Sequence, residues 1–314
     1  MLEHQQSQVS IEEIRAARAR IEGLAIRTPM VRLNAGSASP EIYLKLENLQ
    51  PIRSFKLRGA GNAINAADPD ELKNGVFTAS AGNMAQGVAW CAKQRNIPCS
   101  VVIPEHASNA KVAAIQRLGA DIVKVPFDDW WHVMTTHEFD GLDGFFVHPV
   151  ANRDVIAGNG TIGLEILEDL PDVDAVIVPY GGGGLSCGIA SAMKGAGSAA
   201  IIYACEVETA APLAASLKAG QPVEVEMAQT FIDGIGSPML LPEMWPLASE
   251  LLHGSLTVSV EETASAIRLL MQRNCVVAEG AGAVPVAAAL NHEVKGKKIV
   301  CIVSGGNIDL EKVP

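Results

Sequence analysis

The 314-residue chain has no run of 18 apolar residues, no CxxC pair, no internal repeat and no low-complexity tract. Without an apolar run of that length there is no membrane-spanning helix to expect. The six cysteines (Cys91, Cys99, Cys187, Cys205, Cys275 and Cys301) are scattered, mostly within apolar stretches, which favours buried free thiols over a disulfide framework or a zinc site. Aromatic residues are scarce, at 4%, so the core must be built from Ala, Val, Ile and Leu. Positive charge is in deficit: 24 Lys and Arg against 35 Asp and Glu leave a net charge of −11, which argues against nucleic acid or an anionic membrane as the main partner. The opening "MLEHQQSQVSIEEIRAARARIEG" is too polar for a signal peptide, so a cytoplasmic, reducing setting is expected.

What is abundant is apolar residues, 48%, and Gly, 29 of them, the composition of a compact protein rich in tight turns. Ser10 followed by Glu13 is a capping-box signature that opens a helix to about residue 22. A strand–helix rhythm then runs through "IYLKLE", "GVFTAS", "PCSVVIP", "ADIVKVP", "VDAVIVPY", "AAIIYACE" and "KKIVCIVSGGN". Helical periods lie between them, over 83–95, 109–118 and 209–219. Short β-branched runs alternating with helices predict α/β architecture, with parallel strands buried on both faces. Ligands of such sheets sit in loops beyond the strand ends, and "TASAGNMAQG", "PYGGGGLSCG" and "VSGGNID" are the unusual ones.

Gly181 to Gly184 follow a strand and precede a helix beginning near Leu185. A backbone without Cβ atoms can turn there and present N–H groups to an anion at the helix N-terminus. No Gly-Lys-Ser/Thr follows, and the GxGxxG pattern with a later acidic residue is not met. A bare turn is the plain alternative, but four successive Gly lose more chain entropy than a turn requires. In "PIRSFKLRGA" the acidic chain gathers Arg53, Lys56 and Arg58. Either this is a solvated helix face or Lys56 reacts. A phosphate cradle plus a reactive lysine points to pyridoxal 5'-phosphate, which carries both a phosphate and an aldehyde for a Schiff base.

Six segments in order, "PIRSFKLRGA", "TASAGNMAQGVA", "GNGTIGLEIL", "VPYGGGGLSCGIA", "VVAEGAGAVPVAAAL" and "VSGGNID", resemble the motif set of fold-type II pyridoxal-phosphate enzymes. The resemblance is greatest to the serine/threonine dehydratases (threonine ammonia-lyases), with serine racemase as a near relative, and runs from about residue 10 to 309. It implies a tryptophan synthase β-like α/β fold of two open, twisted, mostly parallel sheet lobes flanked by helices. Residues 1–72 and 147–314 would form a large cofactor-binding domain and residues 73–146 a small mobile one. The resemblance also implies a homodimer, and no regulatory domain is expected beyond the last motif. Lys56 would hold the cofactor covalently and act as the base at Cα. Phe55 would pack near the ring, Asn83 would bind its phenolic oxygen, Gly181, Gly182, Gly183, Gly184 and Leu185 would cradle the phosphate, Gly234 would cover the other face, and Ser304 would meet the pyridine nitrogen. Ser80, Ala81, Gly82, Asn83 and Met84 would receive the amino-acid substrate. A nearby cation, Arg53 or Arg58, could help keep the Lys56 amine neutral, or either could be solvated.

The resemblance thus implies dehydration of a β-hydroxy-α-amino acid such as L-threonine or L-serine to a 2-keto acid and ammonia. The alternatives are a lyase for 3-hydroxyaspartate, an aryl serine or a compatible solute, then a racemase, a β-replacement enzyme or a binder without catalysis. Ala81 stands where racemases carry a proton-moving serine, which disfavours racemisation. Met84 replaces the family's His and would make the pocket less polar. Glu206 matches an acidic metal ligand of some relatives, but Pro212 occupies the second acidic position, so no metal is expected. His132 and His137 are five apart, not the pairing of one helix face, and read as parts of a surface helix. Glu279 matches a position near the cofactor and also suits a helix N-terminus.

Overall fold

The computed structural model describes residues 7–35, 40–107 and 109–309. Helix α1 (Ile11–Arg20) leads to β1 (Met30–Arg32), β2 (Glu41–Lys45) and α2 (Lys56–Ala66). The chain then lays down β3 (Val76–Ala79), α3 (Asn83–Arg95), β4 (Cys99–Pro104), α4 (Asn109–Gln116), β5 (Asp121–Val125), α5 (Phe127–Thr136) and β6 (Phe145–Phe146). Helix α6 (Arg153–Asp169) carries it back to β7 (Ala175–Pro179), α7 (Gly184–Gly195), β8 (Ile201–Val207), α8 (Pro212–Ala219), α9 (Trp245–Leu251) and β9 (Gly254–Val258). Helices α10 (Val260–Asn274) and α11 (Gly280–Asn291) and strand β10 (Lys298–Ile302) complete it.

Two sheets result. The larger has the order β1-β2-β10-β7-β8-β9, parallel except for β1 against β2, and the smaller has the order β5-β4-β3-β6, parallel throughout. The α/β fold with mostly parallel sheets is the one expected. Strand β7 shows why apolar runs rather than alternation mark these strands. Val176 and Val178 enter one apolar core with Ile156, Ile162 and Ile189 of α6 and α7, while Ala175 and Ile177 enter another with Ile267 and Val284 of α10 and α11. Successive side chains point to opposite faces, and both faces are covered.

Ser10 and Glu13 form the expected capping box, with bonds of 2.8 and 3.2 Å. The helix ends at Arg20 rather than near 22, because the chain turns there and reaches a positive φ of 75° at Gly23. Likewise α8 starts at Pro212 rather than 209, since Pro suits a first turn and residues 207–210 close a bridge. Of the cysteines, five are buried free thiols, while Cys275 at the C-cap of α10 is exposed. Among the described residues, no helix is long and apolar enough to cross a membrane.

Helix α2 carries Lys56 and is held from beneath. A Cβ on Gly158 of α6 would stand 2.4 Å from the Arg58 carbonyl oxygen, so glycine there lets the two helix backbones touch. Arg58, 1% exposed, is buried between two carboxylates. Its Nε and Nη2 each donate to Glu47 at 2.8 Å, and its Nη1 and Nη2 donate to Glu165 at 2.7 and 2.9 Å. Lys45 Nζ completes the set at 2.6 Å from Glu165. Burial alone would raise the Glu47 pKa, but the Arg58 charge and hydrogen bonds hold it below the ordinary value. Arg58 is therefore neither solvated nor facing the chemistry.

Replacing Arg58 with Met leaves Glu47 and Glu165 buried with only Lys45 between them. Urea denaturation should show a loss of about 3–5 kcal/mol, the usual effect of breaking a buried pair from one side. A loss under about 1 kcal/mol, the scale of an exposed pair, would mean that the cluster does not anchor α2.

Candidate active site

The strand ends of the two sheets open on one cavity of about 350 Å³, and all fourteen site residues singled out from the sequence line it. From the α2 side come Phe55 and Lys56, and from the turn into α3 come Ser80, Ala81, Gly82, Asn83 and Met84. Gly181 to Leu185 arrive from the turn between β7 and α7, Gly234 from the long connection before α9, and Ser304 from the end of β10.

Lys56 sits at the cavity with Nζ donating to the Pro149 carbonyl at 2.8 Å and lying 5.2 Å from the Phe55 ring centre. Burial pushes its pKa down to about 8, while the charge of Glu279 pulls the other way. The neutral amine near pH 7 is thereby more plentiful by roughly two orders of magnitude than for an ordinary lysine. Neither arginine, each weighed as a possible source of help or as simply solvated, is what does this. Arg58 is neutralised by its carboxylates, and exposed Arg53 shapes the preceding turn with a φ of 59°.

The glycine run is shaped by its neighbours. A Cβ on Gly182 would lie 2.4 Å from Val150 Cγ2, and Gly183, the N-cap of α7, has a φ of 97°. Both positions exclude a side chain, and the first N–H groups of α7 have no intrahelical acceptors. The helix start thus opens unpaired N–H groups on the cavity, an arrangement able to receive an anion. At the other wall α3 begins at Asn83, and the Ser80 hydroxyl accepts from Gly82 N–H at 3.2 Å, giving a second helix N-terminus beside a hydroxyl. Met84 is only 1% exposed and belongs to the apolar cluster that includes Leu57, Ala60 and Val88. Met84 thus packs into this apolar core and also lines the cavity, where it offers no polar hydrogen to a ligand.

Sequence reasoning missed part of the lining. Phe127 and Trp130 of α5, with ring centres 5.6 Å apart, and His106 form an aromatic edge. Lys111 of α4 pairs with Asp233 at 2.7 Å, joining the smaller-sheet lobe to the connection that carries Gly234. The Lys111–Asp233 pair joins residues 122 positions apart and leaves no local pattern. Glu279, weighed as merely compatible, lines the cavity and accepts from Asn83 Nδ2 at 2.7 Å. Burial raises its pKa to about 7, against the lowering effect of the Asn83 bond.

Two other clusters have structural explanations. Glu206 accepts from Leu213 N–H, Ala214 N–H and Ser255 Oγ at 2.9, 2.8 and 2.6 Å, capping the start of α8. His132 is exposed on α5, while His137 at its C-cap meets His148 and Glu243, with ligand atoms within 4.8 Å of one another. His148 Nδ1 accepts from Val150 and Ala151 N–H groups, so its Nε2 carries the proton and donates to the Met134 carbonyl at 3.1 Å. A nitrogen bearing that proton has no lone pair for a metal.

The family model described as pyridoxal-phosphate dependent enzyme matches residues 21–305. The L-threonine ammonia-lyase of Thermotoga maritima is 41% identical over 97% of this chain and 77% of its own length. A catabolic L-threonine dehydratase of Staphylococcus aureus is 38% identical over 97% of this chain and 91% of its own. Among solved structures, maize serine racemase superposes with a TM-score of 0.89 at 32% identity, covering 97% of this chain and 95% of its own. The threonine deaminase of T.th. gives 0.87 at 33% identity, covering 96% and 99%.

The cradle is testable with pyridoxal phosphate as the probe. Gly182→Val forces the loop away from Val150 and should weaken binding on the order of tenfold or more, read by equilibrium dialysis with circular dichroism reporting the fold. Unchanged affinity in a folded variant would reduce the glycine run to a turn.

Proposed function

Because the chain belongs to the pyridoxal-phosphate dependent enzymes, we propose that it is a dehydratase releasing ammonia from L-threonine, as the names of its relatives indicate. The observation that carries this reading is the convergence of a lysine amine of lowered pKa and a side-chain-free helix N-terminus on one cavity. These residues fit the cofactor. Gly181, Gly182, Gly183, Gly184 and Leu185 would hold its phosphate, Lys56 its carbonyl carbon, Phe55 and Gly234 its ring, Asn83 its phenolic oxygen and Ser304 its pyridine nitrogen. When bound, the cofactor supplies an electrophilic carbon for the substrate amine and an electron sink that acidifies the Cα–H.

The chain's own residues do the rest. The α3 N-terminus and the Ser80 hydroxyl hold the substrate carboxylate, fixing which face of Cα meets Lys56. The Lys56 amine, kept short of full protonation by burial and oriented by the Pro149 carbonyl, takes the Cα proton. Ser304 would offer a hydroxyl to the pyridine nitrogen where a carboxylate would enforce its protonation, a setting that favours loss of the β-substituent, and the proton that Lys56 takes from Cα balances the hydroxide that leaves as water. The enamine so formed takes up water and releases ammonia, leaving a 2-keto acid. Ala81, half-buried at the cavity, has a methyl group that cannot return a proton to the opposite face, which favours elimination over racemisation.

Residues 73–146 are proposed to move as a unit over the cavity, with Lys111–Asp233 and the Asn83–Glu279 hydrogen bond among their contacts with the rest of the chain. A cytoplasmic homodimer is part of the same proposal. Ile26, Leu49 and Val277, each 44–49% exposed, surround the segment 48–50 through the Ile26–Gln50 and Asn48–Val277 hydrogen bonds and are the surface assigned to the second copy. Sedimentation of the holoenzyme as a monomer would overturn the dimer.

Keto-acid release tests the function. L-threonine should be turned over with a kcat/KM about fourfold above L-serine, the effect of burying one methyl worth ~0.8 kcal/mol against the aromatic edge. Chiral chromatography should find no D-isomer, and Lys56→Ala should abolish both turnover and the visible band of the bound cofactor. Turnover persisting without Lys56 would sink the assignment. A preference for L-serine would remove only the substrate argument, and substantial D-amino acid would remove the role given to Ala81.

A further inference from the structure

Asn83, Glu279 and Asn307 come from three distant segments and close into a hydrogen-bonded ring beside the cavity. Asn307 Nδ2 lies 2.9 Å from the Ile52 carbonyl oxygen. A carbonyl can only accept, so that end of the Asn307 amide is the nitrogen, whatever ambiguity an amide otherwise has. The same nitrogen lies 2.8 Å from Asn83 Oδ1, which must then be the oxygen. The Asn83 nitrogen is thereby turned to Glu279 Oε1, 2.7 Å away. The backbone of Asn307 also hydrogen-bonds Glu279, which closes the ring. Ile52 stands four residues before Lys56, in the turn that leads into α2, so the ring ties the lysine segment to the start of α3.

The packing around the ring leaves no room for slack. A Cβ on Gly305 would stand 2.4 Å from Glu279 Oε1 and 3.3 Å from Asn83 Nδ2. One on Gly306 would stand 2.8 Å from the Val277 carbonyl. The paired glycines of "SGGN" therefore let Asn307 and Glu279 close on Asn83.

From this geometry we propose that Asn307 and Glu279 are positioning residues that fix the Asn83 amide in one orientation, with one N–H spent on Glu279 and the other left for the ligand in the cavity. The inference rests on the proposed use of pyridoxal phosphate, whose phenolic oxygen is the acceptor that the second N–H would meet. Without Asn307 the Asn83 amide could turn over and present its carbonyl oxygen to that oxygen, exchanging a donor for a repulsive acceptor. Glu279 acts as an acceptor, and its raised pKa, about 7, is compatible with this because either protonation state keeps an oxygen free to accept.

The test compares holoenzymes of the parent, Asn307→Asp, Glu279→Ala and Glu279→Gln by pyridoxal phosphate affinity, the position and pH dependence of the visible cofactor band, and kcat against KM. Asn307→Asp keeps the shape but can donate neither to Ile52 nor to Asn83. It and Glu279→Ala should each weaken cofactor binding by roughly tenfold, the scale of one buried hydrogen bond, shift the band, and lower kcat more than they raise KM. Glu279→Gln keeps an acceptor for Asn83 and should restore the parent band and affinity to within about threefold. A parent-like band and affinity in Asn307→Asp would overturn the proposal. So would Glu279→Gln behaving like Glu279→Ala, since charge rather than acceptance would then be the property that matters. Failure of the cofactor reading itself has a different signature, a parent enzyme with no visible band at all.

Discussion

The buried pairing of Arg58 with Glu47 and Glu165 is the constraint on which the site depends. Arg58 and Lys56 ride the same first turn of one helix, so what fixes the guanidinium also fixes the direction of the amine. Successive residues are about 100° apart around a helix, and a slip of one residue would take Arg58 from its carboxylates and Lys56 from the cavity together. The four charges of Lys45, Glu47, Arg58 and Glu165 balance, and they come from the second strand, the segment after it and two helices. An apolar cluster of equal volume could hold these elements with comparable free energy, but it would hold them in less specific register than a forked, bidentate pair.

Around that fixed lysine, burial works on two groups in opposite senses. It lowers the Lys56 pKa to about 8 and raises the Glu279 pKa to about 7. Both shifts favour the uncharged form, as expected where water is displaced by protein. An enclosed amine close to neutrality can both react with a carbonyl and accept a proton from carbon. No additional cation is required to explain it. The three basic residues of this segment stand in separate places: Lys56 at the cavity, Arg58 in the buried anchor, and Arg53 at the surface of the turn.

The sequence was informative where chemistry constrains the backbone locally. Four glycines after a buried strand, a capping box at Ser10 and Glu13, and apolar runs spaced by helical periods are each readable within a dozen residues. The glycine turn before α7, the capped helix start and the parallel strands stand where they imply. Met84 shows the limit. Its place in the substrate-loop motif was legible, but which way the side chain turns depends on the space beneath α3, and that space is apolar core. Helix α5 shows the converse, since its exposed amphipathic pattern gave no sign that Phe127 and Trp130 would edge the cavity.

By itself, then, the sequence determined the alternation of elements and the glycine-lined start of α7, and it singled out Lys56 as the candidate reactive lysine, because each follows from backbone geometry or residue chemistry over short range. The tertiary structure alone decided that Arg58 is an anchor, that Glu206 caps a helix, that Glu279 and Asn307 converge on Asn83, and that Lys111 meets Asp233. The physical reason is one of distance along the chain. A hydrogen bond or ion pair is set by a few ångströms of space, and partners such as Asn83 and Glu279 lie 196 residues apart. Only the folding of both sheets around one cavity brings them within that range.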